Sequence, residues 1–420
     1  MNRSLRGERY TARTGILQLM DDLGKALSGS QKKYMLGGGN PAIIPEAAAL
    51  WRRRMQEVLT NGDQFDRVVG MYDTPQGRPA FLKALASRLR DEFGWAVTER
   101  NIAVTNGSQS AFFILFTLFA GDYPDGSHRK VLFPLLPEYI GYRDQPQDRR
   151  DFVARRPRIE QIDQHTHKYR IDFDRIAISD EIAAVCVSRP TNPSGNVLTD
   201  EEMRRLDSLA REHEIPLIVD NAYGVPFPDI IFHPVTPLWN ENTIFSMSLS
   251  KIGLPSLRTG IVVASEEVVE SVTAMNAVFS LANSSVGQAL AEELLASGEL
   301  LELSRDVIRP YYQSKSEAAV RAVHTHFGDR FPYSVHSSEG SLFLWIWFKE
   351  LRGTTRELYE RLKRRDVIVV PGEYFFFGDD EPWEHRDRCI RINYAMESHD
   401  VETGIRIIAE EAEAMWKESA

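Results

Sequence analysis

Apolar residues recur three and four positions apart in two early stretches, 47–59 and 79–93. In the second, Leu82, Leu85, Ala86 and Leu89 share one face. That spacing predicts two amphipathic helices. From residue 102 the texture changes: a short apolar run breaks at the turn TNGSQ, and an apolar helix is expected over 110–119, followed by a strand in KVLFPLLPEY. The middle is the most regular part. AAVCVS (183–188), PLIVD (216–220), TIFSMS (243–248) and GIVVAS (260–265) are short, unbroken apolar runs, with a helical segment at 201–213 between the first two. Strands without alternation, interleaved with a helix, predict a sheet covered by helices on both faces. After about residue 310 come a helix, the strand pair around SLFLWIWF, a helix over 356–365, the strands VIVV and CIRINY, and an acidic terminal helix. That order reads as a smaller α+β unit.

A chain of 420 residues exceeds what one hydrophobic core organises. The expected division is an amino-terminal arm over 1–45 that contributes to the small domain and the substrate site, a large α/β domain over 46–309, and a small domain over 310–420. With 43% apolar and 26% charged residues the composition is that of a globular protein. Fifty basic against sixty acidic side chains give a charge of −10, which argues against a general nucleic-acid footprint. No apolar run reaches the roughly 18 residues a membrane span needs, and the start lacks the pattern of an export signal. A cytoplasmic protein is expected. Two cysteines cannot build a disulfide scaffold or a four-cysteine zinc site. The pairs His165/His167 and His324/His326 read as solvated surface histidines, and no metal site is expected.

Candidate chemistry gathers just beyond the strand ends, where open α/β sheets place ligands. Lys251 follows the strand 243–248, among Ser248 and Ser250 and seven residues before Arg258. A lysine partly desolvated and near another cation can lose its proton and attack a carbonyl; a surface charge is the plainer alternative. Asp220 ends a buried strand and can pair with a ring nitrogen or merely cap a helix, and Tyr223 can contact a phenolate oxygen or simply pack. Asn192 lies in the turn RPTNPSGN, as a turn former or as an amide donor. Gly107 permits a tight turn, and the N–H groups of Ser108 and Gln109 open a helix whose positive end favours phosphate. Tyr139 can lie flat against a heteroaromatic ring or serve as a core aromatic.

The motifs YDTPQG (72–77), TNGSQSAF (105–112), PEY (137–139), SRPTNPSGN (188–196), DNAYG (220–224), SLSK (248–251) followed by RTG (258–260), and RINY (391–394) occur in one order across the chain. In this the chain resembles the fold type I pyridoxal-phosphate enzymes, specifically the aspartate-aminotransferase-like class. The resemblance implies an α/β large domain with a mainly parallel central sheet, a smaller α+β domain, and pyridoxal 5'-phosphate as cofactor. By resemblance, Lys251 is the Schiff-base lysine, Asp220 the partner of the ring nitrogen, and Tyr223 and Asn192 the contacts to the ring oxygen. Gly107, Ser108, Gln109, Ser248 and Arg258 resemble the phosphate cup, and Tyr139 the stacking aromatic. Tyr72 resembles the tyrosine that crosses to the neighbouring subunit's phosphate in a homodimer with shared sites. Arg391 resembles the arginine that grips the substrate carboxylate, with Gly38 and Gly39 lining the site by their backbone. The seven-residue step from Lys251 to Arg258 is shorter than in many relatives and is shared with aminoadipate-type enzymes and certain fused regulators. The expected reaction is amino transfer between amino acids and 2-oxo acids. The side-chain pocket should be small and apolar, with Ile16 and Leu17 of the arm as lining. A 2-oxoglutarate-linked enzyme of aminoadipate or aromatic type, and a non-catalytic cofactor-binding regulator, remain the alternatives.

Overall fold

The computed structural model describes residues 2–12, 17, 24 and 32–418. Sixteen strands, β1 to β16, are numbered here along these residues. The large sheet runs in the order β2 (Ile102–Thr105), β11 (Gly260–Val263), β10 (Thr243–Ser248), β9 (Leu217–Asp220), β8 (Ile182–Ser188), β4 (His128–Phe133) and β3 (Gly121–Asp122), with β5 (Phe152–Ala154) also on β4. Strands β10, β9, β8, β4 and β5 are parallel, and antiparallel pairs close the two ends. Every residue of β8, β9, β10 and β11 is buried. This is why these strands lack alternation, and each fully buried valine or isoleucine stabilises the fold by roughly 1.5–3 kcal/mol.

The helices follow their local signals. Asp200–Glu212 opens with a reciprocal capping box between Thr199 and Glu202, and Thr355–Arg364 with one between Thr354 and Glu357. Pro79–Phe93 buries Phe81, Leu82, Leu85, Ala86 and Leu89 and stops at Gly94 in the left-handed conformation. Ser108–Phe119 begins two residues earlier than the apolar run suggested, because Ser108 and Gln109 form its polar first turn.

The second sheet has the order β15 (Val370–Pro371), β16 (Cys389–Asn393), β13 (Phe343–Phe348), β12 (Tyr333–His336), β7 (Thr166–Arg170) and β6 (Arg158–Gln161). Its last two strands come from within the 46–309 stretch, so this sheet is not built from 310–420 alone. The run VIVV is two strands, not one. Val367–Ile368 (β14) pairs with β1 (Tyr34–Met35), and after Val369 the chain changes partner to β16. The parallel β1–β14 pair ties the amino-terminal segment to this second unit. His167 departs from the solvated reading: it is fully buried on β7, with Nδ1 against Ser334 Oγ at 3.0 Å, because its strand lies inside the second sheet. Among the described residues no helix is long and apolar enough to cross a membrane.

Candidate active site

Register places the chemistry. Ser188, Asp220 and Ser246 are aligned across β8, β9 and β10, and Thr105, Gly260 and Ser248 across β2, β11 and β10. The loops leaving these strand ends meet segments from the second sheet around a cavity of about 540 Å3. Its lining includes Gly38, Gly39, Ser108, Gln109, Tyr139, Asn192, Asp220, Tyr223, Ser248, Lys251, Arg258 and Arg391. Residues as distant in sequence as Gly38 and Arg391 thus share one wall system.

Lys251 Nζ donates to Gly39 O at 2.7 Å and lies 5.4 Å from the centre of the Tyr223 ring. Burial, reinforced by Arg391 and Arg258 and opposed by Asp220, lowers its pKa to about 8. Asp220 lies on the cavity floor; its Oδ1 accepts from Ala222 N at 2.9 Å and its Oδ2 from the Tyr142 hydroxyl. Burial raises the Asp220 pKa, against these donors and Lys251. Tyr142 is held well above its ordinary pKa, first by burial and then by the Asp220 charge, so it keeps the proton it donates.

At the opposite end, Gly107 has φ 87°, and a Cβ there would meet Arg258 Nη2 at 2.1 Å. Only glycine lets the guanidinium fold over this turn. The first-turn N–H groups of Ser108 and Gln109 fall outside the helix's own hydrogen-bond ladder. Ser248 Oγ accepts from Ser250 N at 2.8 Å, which leaves its proton to donate. A guanidinium, a hydroxyl donor and a helix N-terminus converging on one corner fit a phosphate.

Arg391, on β16, is 3% exposed yet lines the cavity. Its Nη1 donates to Asn192 Oδ1 and its Nη2 to Gly37 O, each at 2.7 Å, while the buried Nε has no partner among the described residues. The guanidinium lies 4.1 Å from the Phe343 ring centre and 5.1 Å from that of Phe375. Burial lowers its pKa to about 10, so it stays charged at neutral pH. A buried cation with no paired carboxylate among the described residues, and with a donor to spare, suits a substrate carboxylate. Because Arg391 takes the Asn192 oxygen, the Asn192 Nδ2 donors face elsewhere.

The sequence-derived residues come together with three exceptions. Tyr72 is 83% exposed and outside this cavity. Leu17 is half exposed and is not among the cavity's lining residues, and Ile16 lies outside the described residues. Sequence reasoning missed Tyr142, one turn after Tyr139 in PEYIGY, and Gly37 and Asn393. The carbonyls of Gly37, Gly38 and Gly39 accept from Arg391, Asn393 and Lys251 in turn, each at 2.7 Å. The triple glycine itself was the signal, since three consecutive carbonyls must turn toward one site.

A buried carboxylate, a desolvated lysine, a guanidinium over a helix N-terminus and a second, buried arginine in one cavity fit pyridoxal phosphate and an amino acid together. The chain belongs to the aminotransferase class I and II family, whose model matches residues 51–408, and is a pyridoxal-phosphate-dependent aminotransferase of fold type I. It is 47% identical over 419 residues to the valine–pyruvate aminotransferase of Escherichia coli (strain K12), with both chains covered in full. The crystal structure of the valine–pyruvate aminotransferase of Salmonella typhimurium LT2 is similar, with TM-score 0.88 and 46% identity, covering 96% of this chain and 100% of that one. A crystal structure from Psychrobacter arcticum 273-4 matches with TM-score 0.96 at 42% identity, and both chains are covered in full.

Proposed function

We propose that this enzyme transfers the amino group reversibly between L-valine and pyruvate, giving 3-methyl-2-oxobutanoate and L-alanine. The observation that carries this reading is the full-length likeness, at 47% identity, to an enzyme of that name. The cavity agrees with it. Beyond the phosphate corner, Arg391 supplies the guanidinium for a single carboxylate, and Met35, Ile140 and Met396 add apolar wall.

When bound, pyridoxal phosphate supplies a carbonyl carbon for amines and a ring that takes up the electrons of a broken C–H bond. The chain does the rest. Arg391 fixes the substrate carboxylate and so turns the α-hydrogen toward Lys251. With the cofactor bound, Lys251 would be its covalent anchor, and its freed Nζ would take up the α-proton as a base and later give it back. Asp220, the buried carboxylate lining the cavity, would hold a proton on the ring nitrogen. Tyr223 and Asn192 would hold the ring oxygen, and Tyr139 would stack on the ring. The two half-reactions use the same residues in opposite directions, which is ping-pong exchange.

A panel of kcat/KM values tests the substrate: valine, alanine, glutamate, aminoadipate and phenylalanine, each against pyruvate and 2-oxoglutarate. Valine–pyruvate exchange should lead, with related aliphatic donors close behind, because one methylene is worth only about 1–3 kcal/mol in an apolar pocket. A lead for glutamate with aromatic or aminoadipate partners would replace this reading by the 2-oxoglutarate-linked one, which the seven-residue Lys251–Arg258 step favours.

The working unit in this reading is a homodimer in which Tyr72 completes the partner's phosphate corner. Met71, Tyr72, Val278, Phe279 and Leu281 are more than half exposed, apolar surface that a partner of the same kind would cover. Mixing Lys251→Ala subunits with Tyr72→Phe subunits should restore part of the activity, since one composite site then carries both lesions and the other neither. Confirmed subunit exchange without recovery would remove the shared site.

A further inference from the structure

Glu138 has no part in the chemistry above, yet it is only 2% exposed and sits between the Tyr139 wall and the end of β8. Its Oε1 accepts from Ser188 N at 2.9 Å; its Oε2 accepts from Ser188 Oγ at 2.6 Å and from Tyr139 N at 3.2 Å. Its own N–H donates to Phe375 O at 3.0 Å, and Phe375 is one of the rings against Arg391. Ser188 in turn is aligned with Asp220, and the next residue, Arg189, donates its N–H to Asp220 O at 2.8 Å. Thr191 Oγ1, beside Asn192, donates to Ser188 O at 3.2 Å. One side chain therefore joins the stacking wall to the strand end that carries the floor and the ring-oxygen loop.

We propose that Glu138 is a positioning residue for the cofactor ring, clamping Tyr139 to Ser188 and so setting the gap between the stacking ring and the Asp220–Asn192 floor. A buried carboxyl is costly unless its oxygens are satisfied, and a core methionine or leucine would fill much the same volume without that cost. What neither can do is accept from two amides and a hydroxyl on two separate segments. Burial and the nearby Asp220 charge raise the Glu138 carboxyl to about 8, against the donors of Ser188 and Tyr139.

The inference rests on the pyridoxal-phosphate reading of the site, but not on valine as substrate. Its test is the visible circular dichroism of the bound cofactor without substrate, which reports ring orientation, together with kcat, KM and thermal melting. Glu138→Ala loses every arm of the clamp. Glu138→Gln keeps the acceptor for Ser188 N but turns a donor toward Tyr139 N. The expected order is wild type, then Gln, then Ala, both in falling cofactor ellipticity and in falling kcat. The alanine variant should lose about tenfold or more in kcat while KM changes less than about threefold. If the alanine variant does not fold, Glu138→Gln and Ser188→Ala carry the test, each with a smaller change of the same sign. Unchanged ellipticity with wild-type kcat in a folded variant would overturn the proposal. So would a loss of kcat that merely follows a loss of thermal stability. A wild-type enzyme that prefers another donor would overturn the substrate reading and leave this result standing.

Discussion

Lys251→Ala should reduce turnover by about 10^4-fold or more, and its cofactor should be removable by dialysis, because one amine serves as both anchor and base. The variant should stay folded, since Lys251 lines an open cavity and gives up one hydrogen bond, to Gly39 O. Borohydride reduction of the wild type should fix the cofactor to Lys251, and a label on another lysine would refute the assignment. The pH dependence has a definite sign. Burial, with Arg391 and Arg258, lowers the free amine from 10.5 to about 8. Only the neutral amine attacks a carbonyl, so cofactor uptake by cofactor-free protein should speed up as pH rises toward 8 and level off above it. An unshifted lysine would keep accelerating beyond pH 9. Stopped-flow absorbance after mixing with pyridoxal phosphate distinguishes the two curves.

Asp220→Ala should lower kcat about 10²- to 10³-fold while KM for the amino donor changes little, since the charge acts on the ring's electron uptake and not on Arg391. α-Proton exchange into solvent should fall in parallel, and exchange near the wild-type rate would remove the electron-sink role. Alanine also strips the Tyr142 hydroxyl and the Ala222 amide of their buried acceptor, a cost of about 1–3 kcal/mol per unsatisfied group. Asp220→Asn separates the two effects. It keeps an acceptor oxygen in nearly the same volume and should recover much of the melting temperature, but not the rate.

Much of this site was legible because the chemistry sits on short local motifs. Strand β9 ends at Asp220 because the apolar run LIVD ends there, and Lys251 and Arg258 bracket a loop whose glycine and proline interrupt the pattern. Tyr142 and Glu138 were not legible as site residues. Each reads as an ordinary residue near a proline corner, and its role depends on a partner 78 or 50 positions away, Asp220 or Ser188. The burial of His167 was hidden for a related reason. A run such as THKYR reads as solvated until the strands on either side of it are known.

The residues alone determined the element types, the apolar strands of the large sheet and the family to which the chain belongs, because periodicity, caps and turn residues act over a few positions. The tertiary structure decided what lies opposite what. Strand register aligned Ser188 with Asp220, and the pairing of β1 with β14 holds the segment leading into Gly37–Gly39 beside the second sheet. Burial of Arg391 against Phe343 and Phe375 set one of many arginines into the cavity wall, where we propose it takes the substrate carboxylate. These relations depend on contacts between segments up to 355 residues apart, such as Asn393 with Gly38. A pattern local to the chain records which residues want burial; only closure of the whole core selects the partners they are buried against.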